Sequence, residues 1–159
     1  MRGAFSASVL GLLSLVAVTL AGCGGGPPPP TVAVLNITAS ADANPDAGGQ
    51  AAPVAVRIYQ LASTANFDKA DFFQLYQHEQ ETLGTDLLGR DEIVIPPGGS
   101  QQVQKELKPG ATAIGVVAAF RDIQKANWRG SVVPPANKTT PVTVTIQGLN
   151  VTVALAGGS

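Results

Sequence analysis

From Thr31 onward, apolar and polar side chains change places with a period of two, the repeat of strands whose successive residues face opposite sides. In Thr31 to Ala39, Val32 and Val34 share one face while Ala33, Leu35 and Ile37 share the other, so both faces are largely apolar. Val54, Val56 and Ile58 alternate with Ala55, Arg57 and Tyr59, which predicts a strand with one packed face. Asp91 to Ile95 reads as a short strand stopped by Pro96-Pro97-Gly98-Gly99. Ser100 to Leu107 alternates Gln102, Gln104 and Glu106 with Val103, Lys105 and Leu107, a weaker and more exposed strand. After the Lys108-Pro109-Gly110 turn, Ala111 to Phe120 is the most apolar run and is expected at the centre of a sheet, followed by a turn at Arg121 to Lys125. Trp128 to Val133 precedes Pro134-Pro135. Val142, Val144 and Ile146, then Val151, Val153 and Leu155, flank the break at Gly148. Short strands with a turn signal every ten residues or so predict a mostly β, antiparallel β-sandwich rather than a doubly wound sheet.

Between Leu61 and Asp91 the alternation stops. Phe67, Phe72, Phe73, Leu75 and Tyr76 sit among acids and glutamines, and Phe72, Leu75 and Tyr76 have helical spacing over Ala70 to Gln77. Asp71 suits the positive end of that helix. Leu83, Leu87 and Leu88 suggest a second short helical turn, so residues from about 62 to 90 are expected to form a helical insert packed on the sandwich by Phe72, Phe73 and Tyr76.

The N-terminal part follows another rule. Arg2 precedes an apolar run, Val9 to Ala21, that is too short for a spanning helix of roughly 20 residues. Leu20-Ala21-Gly22-Cys23 closes it and holds the only cysteine, a combination that resembles the processing signal of bacterial lipoproteins. That resemblance implies removal of residues 1–22, a lipid on the Cys23 thiol and acylation of the new amino group. Gly24-Gly25-Gly26 and Pro27 to Pro30 then read as a floppy and a stiff piece of tether, residues 23–30, ahead of a domain from 31 to 159. Gly24 is not the aspartate that retains enterobacterial lipoproteins in the inner membrane, so outer-membrane residence is expected.

Composition narrows the remaining choices. Loss of the leader leaves 137 of 159 residues, enough for one domain with a real core. Ten basic and eleven acidic residues give no footprint for nucleic acid. With Cys23 acylated, no thiol is left for a disulfide, a metal or a nucleophile.

The residues that follow one another along the domain form a recognisable series. Asn44-Pro45-Asp46, Pro53 to Leu61, Phe67 and Ala70-Asp71-Phe72-Phe73-Gln74-Leu75-Tyr76 come first. Leu83-Gly84, Asp86-Leu87-Leu88, Pro97-Gly98, Gly115 to Asp122 and Trp128-Arg129 complete it. This series resembles the type VI secretion outer-membrane lipoproteins of the TssJ family, also called VasD or SciN. The resemblance implies a transthyretin-like sandwich of two four-stranded sheets with a small helical addition. It implies a lipid in the inner leaflet of the outer membrane, with the domain facing the periplasm. The implied partner is the periplasmic C-terminal domain of inner-membrane TssM, with TssL in the same membrane complex. No enzymatic activity and no cofactor beyond the covalent lipid on Cys23 are implied. The family's partner contact depends on the loop joining the first two strands, here Ser40 to Ala52, whose candidate residues are Ser40, Asp42, Asn44, Pro45, Asp46, Gly48, Gly49 and Gln50. That loop is small and polar and lacks an aromatic anchor of the usual hot-spot kind. Its thirteen residues exceed the roughly two to five of a hairpin, so a short Asn-Gly turn is expected to replace Ala41 to Gln50 without loss of fold.

Other chemistry is thinly represented. His78, beside Glu79 and Glu81, is the only histidine and fits a solvated face better than a metal site. Asp42 and Asp46 lack the further oxygen ligands and closing glutamate of a calcium loop. No Gly-x-Ser-x-Gly elbow is present, and the glycine runs lack the lysine of a phosphate loop. Arg121-Asp122 reads either as a polar turn after the most apolar strand or as a surface that touches the partner. The sequons at Asn36, Asn137 and Asn150 carry no meaning in a bacterial periplasm. The alternative to a docking lipoprotein is a lipid-anchored module for a small apolar ligand, which would need a concave apolar pocket of several hundred Å³.

Overall fold

The computed structural model describes residues 25–157, so the apolar leader, Cys23 and Gly24 lie outside the described residues. Eight strands follow: β1 (Val32–Ala39), β2 (Val54–Leu61), β3 (Leu87–Ile95), β4 (Ser100–Glu106), β5 (Ala113–Ala119), β6 (Arg129–Val132), β7 (Thr139–Gln147) and β8 (Asn150–Leu155). They make two four-stranded sheets, ordered β4-β1-β7-β8 and β3-β2-β5-β6. All neighbours run antiparallel except β1 and β7, which pair in parallel from Val32 opposite Thr139 to Ala39 opposite Ile146. A parallel pair needs a long crossover, and here the whole second sheet lies between the two strands in sequence. The strand limits match the alternation closely. The exceptions are β3, which starts at Leu87 rather than Asp91, and β7, which starts at Thr139 rather than Val142.

Between the sheets lies an aliphatic core with Leu35 and Ile37 of β1, Val56 and Ile58 of β2, Ile114 and Val116 of β5, and Val142, Val144 and Ile146 of β7. A second cluster covers the outer face of the β2–β5 pair: Tyr59, Leu61, Ala113 and Val117 meet Phe67, Ala70, Leu75 and Leu83 of the helical insert. β5 is therefore buried on both faces, which accounts for its uninterrupted apolar run. Gly115 faces the insert, and a Cβ there would meet the Phe67 ring at 2.9 Å, so its bareness makes room for Phe67.

The insert itself is three short helices, α1 (Ala65–Lys69), α2 (Phe72–Gln77) and α3 (Glu79–Leu83), and a single 3-10 turn over Gly84–Asp86. Asp71 caps α2 through a reciprocal pair, accepting the Gln74 N–H while its own N–H donates to the Gln74 side chain, 2.9 Å each. Two expectations fail here. Leu87 and Leu88 belong to β3, drawn into the sheet by pairing of Leu87 with Leu61 across an irregularity at Gln60/Leu61. Phe73 is 55% exposed, because only Phe72 and Tyr76 of the aromatic trio turn toward the sheet. Phe72 stacks on Tyr76 at 5.0 Å and meets Trp128 edge-on at 5.4 Å.

Polar side chains complete the joint. Arg57 of β2 lies 3.7 Å from the Tyr76 ring centroid, donates to the Tyr76 carbonyl at 2.6 Å, and pairs with Glu92 at 2.6 Å and Glu79 at 3.3 Å. Burial alone would lower the pKa of the Arg57 guanidinium, but its bonds to Glu92 and Tyr59 raise it above its ordinary value. The Tyr59 hydroxyl lies 3.0 Å from the Leu75 carbonyl and 3.1 Å from Glu79, and Arg90 closes on Glu79 at 3.1 Å. On the other side of the insert, Arg129 of β6 donates to the carbonyls of Phe67 and Ala70.

Two measurements follow from this arrangement. Val116→Asp would place an unpaired carboxylate between the sheets and Val117→Asp would place one under the helices, since both residues are fully buried. Each costs several kcal/mol, comparable with the roughly 5–15 kcal/mol of a whole domain, so both variants should be recovered as insoluble or degraded protein. Near-native thermal melting of either would contradict the burial of that face. Separately, burial pushes the Tyr59 phenol up to about 12, helped by nearby Glu79 and opposed by Arg57. The folded state thus keeps this proton to higher pH than the unfolded chain, whose phenol titrates near 10. Its stabilising effect is intact below pH 10 and disappears as pH rises through 12, by about 2–3 kcal/mol. Urea unfolding between pH 9 and 12 should show this decline, and Tyr59→Phe should lack that component of it.

Candidate functional site

β1 ends in one sheet and β2 begins in the other, so the connection Ser40–Pro53 crosses an end of the sandwich. The connection therefore joins strands of two different sheets, which a hairpin, joining neighbours in one sheet, does not. The loop is also tied down along its length. The Ser40 N–H donates to Ile146 at 2.8 Å and the Gly98 N–H donates to Ser40 at 3.1 Å, while the Ser40 hydroxyl donates to Asp42. Ala43 is fully buried.

Asn44 is the central pin. Its φ of +52° lies in the left-handed region, which asparagine tolerates better than most residues. Its N–H donates to Gly148 in the β7–β8 turn, its amide donates to the Pro53 carbonyl, and its amide oxygen accepts the Arg121 N–H, each at 2.8 Å. One buried residue, through its backbone N–H and its side chain, thereby joins three connections at this end of the domain. Replacement of residues 41–50 would orphan both the Pro53 carbonyl and the Arg121 N–H, so shortening the loop carries a cost in stability.

Beyond Asn44 the chain turns outward. One Asp46 carboxylate oxygen accepts the Gly48 and Gln50 N–H groups at 2.9 Å each, and Gly49 takes the positive φ of +82° that lets the turn close. Asp46, Gly48, Gly49 and Gln50 are exposed, Ser40 and Pro45 half-buried, and Asn44 buried. The candidate contact residues therefore divide: an exposed tip at Pro45 to Gln50, and Asn44, whose polar atoms are occupied internally.

Arg121 and Asp122, read from sequence as a separate possibility, lie against the same tip. The Arg121 guanidinium is 3.8 Å from Asp46, Lys125 pairs with Asp122 at 3.1 Å, and a groove of about 550 Å³ runs between them with Leu149 in its wall. The groove is open, and four of its seven lining residues are charged. That is poorly suited to an apolar small molecule and well suited to a polar protein surface.

The other candidates do not converge. His78 and Glu81 are exposed 3.7 Å apart, whereas Glu79 turns inward to Arg57 and Tyr59. Among the described residues no group of three His, Cys, Asp or Glu side chains is placed to hold a metal ion, and no helix is long and apolar enough to cross a membrane. The Arg57–Glu79 joint escaped the sequence reading. Its one visible signal was an arginine and a tyrosine on the outward face of an otherwise apolar strand.

Comparison with known proteins gives this geometry a context. A family model described as "Type VI secretion lipoprotein, VasD, EvfM, TssJ, VC_A0113" matches residues 31–149. The T6SS lipoprotein TssJ1 from Pseudomonas aeruginosa superimposes with a TM-score of 0.78 at 34% identity, over 82% of this chain and 100% of that one. Lip of Serratia marcescens, a membrane-bound component of the type VI secretion system, gives 0.72 at 26% identity, over 79% and 96%. A chain in the structure of the T6SS protein TssM C-terminal domain from EAEC gives 0.66 at 29% identity, over 77% and 97%. No curated protein matches by sequence. The match of the family model over residues 31–149 and the shared fold lead to one conclusion: the chain belongs to the type VI secretion lipoprotein family.

Proposed function

We propose that this lipoprotein is a structural part of the type VI secretion membrane complex, docking the periplasmic C-terminal domain of TssM to the outer membrane. The observation that carries the docking reading is the exposed, pre-set tip Pro45–Gln50, held by Asn44 and Asp46 beside Arg121 and Asp122. A loop already ordered in the free protein loses little entropy on binding, which offsets its lack of an aromatic anchor. The likeness to a chain in a TssM C-terminal domain structure supports the choice of partner. TssL belongs to the same proposed assembly. Cys23 would carry the lipid, with residues 23–30 as tether and the inner leaflet of the outer membrane as the site of insertion. Three acyl chains anchor far more firmly than the marginal hold of one. The small-ligand alternative finds no support in the charged, open groove.

Cys23→Ser should release the domain into the soluble periplasmic fraction and stop secretion. The unsubstituted protein should band with outer-membrane markers on a density gradient. Banding with the inner membrane would contradict the sorting role given to Gly24. For the tip, Asp46→Ala removes two turn-forming acceptor contacts and Arg121→Ala removes the neighbouring cation. Each should stay folded by circular dichroism and weaken calorimetric binding of the TssM periplasmic domain at least about tenfold, the equivalent of about 1.4 kcal/mol. Unchanged affinity in both would move the interface to another face.

A further inference from the structure

The end of the sandwich opposite the docking tip has its own chemistry. β1 begins there, and Thr31 is clamped in place: its carbonyl accepts the Leu107 N–H at 2.9 Å and its hydroxyl oxygen accepts the Asn137 N–H at 2.8 Å. Residues 25–30, all exposed, leave the domain from this fixed point. Around it the β4–β5 and β6–β7 connections present Pro109, Val133, Pro135 and Ala136, all exposed, together with Lys108 and Lys138. Val133 is 62% exposed and borders a hollow of about 260 Å³ that Thr31 also lines.

A single exposed apolar side chain needs no explanation. Here several are grouped around the point where the tether emerges, with two lysines beside them. Lys108 also donates to the Leu88 carbonyl at 2.8 Å, and Lys138 is in none of the ion pairs among the described residues. Glu106, exposed at the end of β4, is the nearby acid along the chain. Cys23 precedes Thr31 by eight residues, so this end can never be farther than about 28 Å from an acylated Cys23.

We infer that this pole, built from Pro109, Val133, Pro135, Lys108 and Lys138, is a lipid-facing seat that rests in the headgroup region of the anchoring bilayer. The apolar side chains enter the interface and the two ammonium groups meet lipid phosphates. The tether keeps the pole at high effective concentration beside the membrane, so even shallow insertion suffices. The domain then stands with β1 running along the membrane-to-periplasm direction and the docking tip pointing away from the lipid. This inference rests on the reading of Cys23 as the acylation site.

The test uses the mature acylated protein carrying Val133→Cys, labelled with an environment-sensitive dye and reconstituted in vesicles of phosphatidylethanolamine and phosphatidylglycerol. A matched sample carries Gln124→Cys, exposed in the β5–β6 loop at the opposite end. The dye at 133 should shift to the blue and lose emission when the vesicles contain brominated acyl chains, while the dye at 124 should do neither. A floated sample whose dye at 133 keeps its aqueous spectrum overturns the seat, whatever protein covers that pole in the cell. Equal quenching at both positions overturns it too, since the domain would then lie on its side. A sample that fails to float with the vesicles overturns the acylation of Cys23 and removes the seat with it.

Discussion

The fold depends on one constraint, the burial of both faces of the β2–β5 pair. Ile114, Val116 and Ala118 close the space between the sheets while Ala113 and Val117 carry the helical insert. A sheet face that is apolar must be covered, and the chain covers it with only three short helices. None of them is long enough to be stable alone. Their order comes from the surface beneath them, through Phe67 seated over Gly115 and through Arg57 and Arg129, which reach their backbone carbonyls.

The same constraint explains what could be read in the sequence. Alternation marked the strands because most have one wet face, and the two-sided apolarity of Ala113–Ala119 marked the centre. Leu87 and Leu88 were misjudged because period alone does not separate a short helical turn from the start of a strand. Leu87 takes its state from Leu61, a partner distant in sequence. Phe73 was misjudged because adjacent aromatics on a helix cannot both face one sheet. The parallel pairing of β1 with β7 leaves no local trace at all.

At the candidate site, the loop and the Arg121 turn were each visible, but their contiguity was not. It arises from Asn44, whose amide reaches across 77 positions of sequence to the Arg121 N–H. Nothing in a small polar loop announces that one asparagine will be buried and bonded to two other connections. Length suggested slack where the structure has a crossing between two sheets. The exposed tip and the rigid base of one loop thus do different work, although their compositions look alike.

The placement of β1 has a mechanical consequence. If lipid holds the chain just before Thr31 and a partner holds it just after Ala39, tension between the two runs along this single strand. β1 is an interior strand, bonded by β4 on one side and β7 on the other. Those bonds lie mainly across the direction of pull, so they would be loaded together in shear rather than opened one at a time. A strand attached through an edge, or pulled from one end of a hairpin, would unzip under less force. The position of β1 in the sheet order thus suits the proposed docking role, in which a small domain without a disulfide among its described residues would be a link under load.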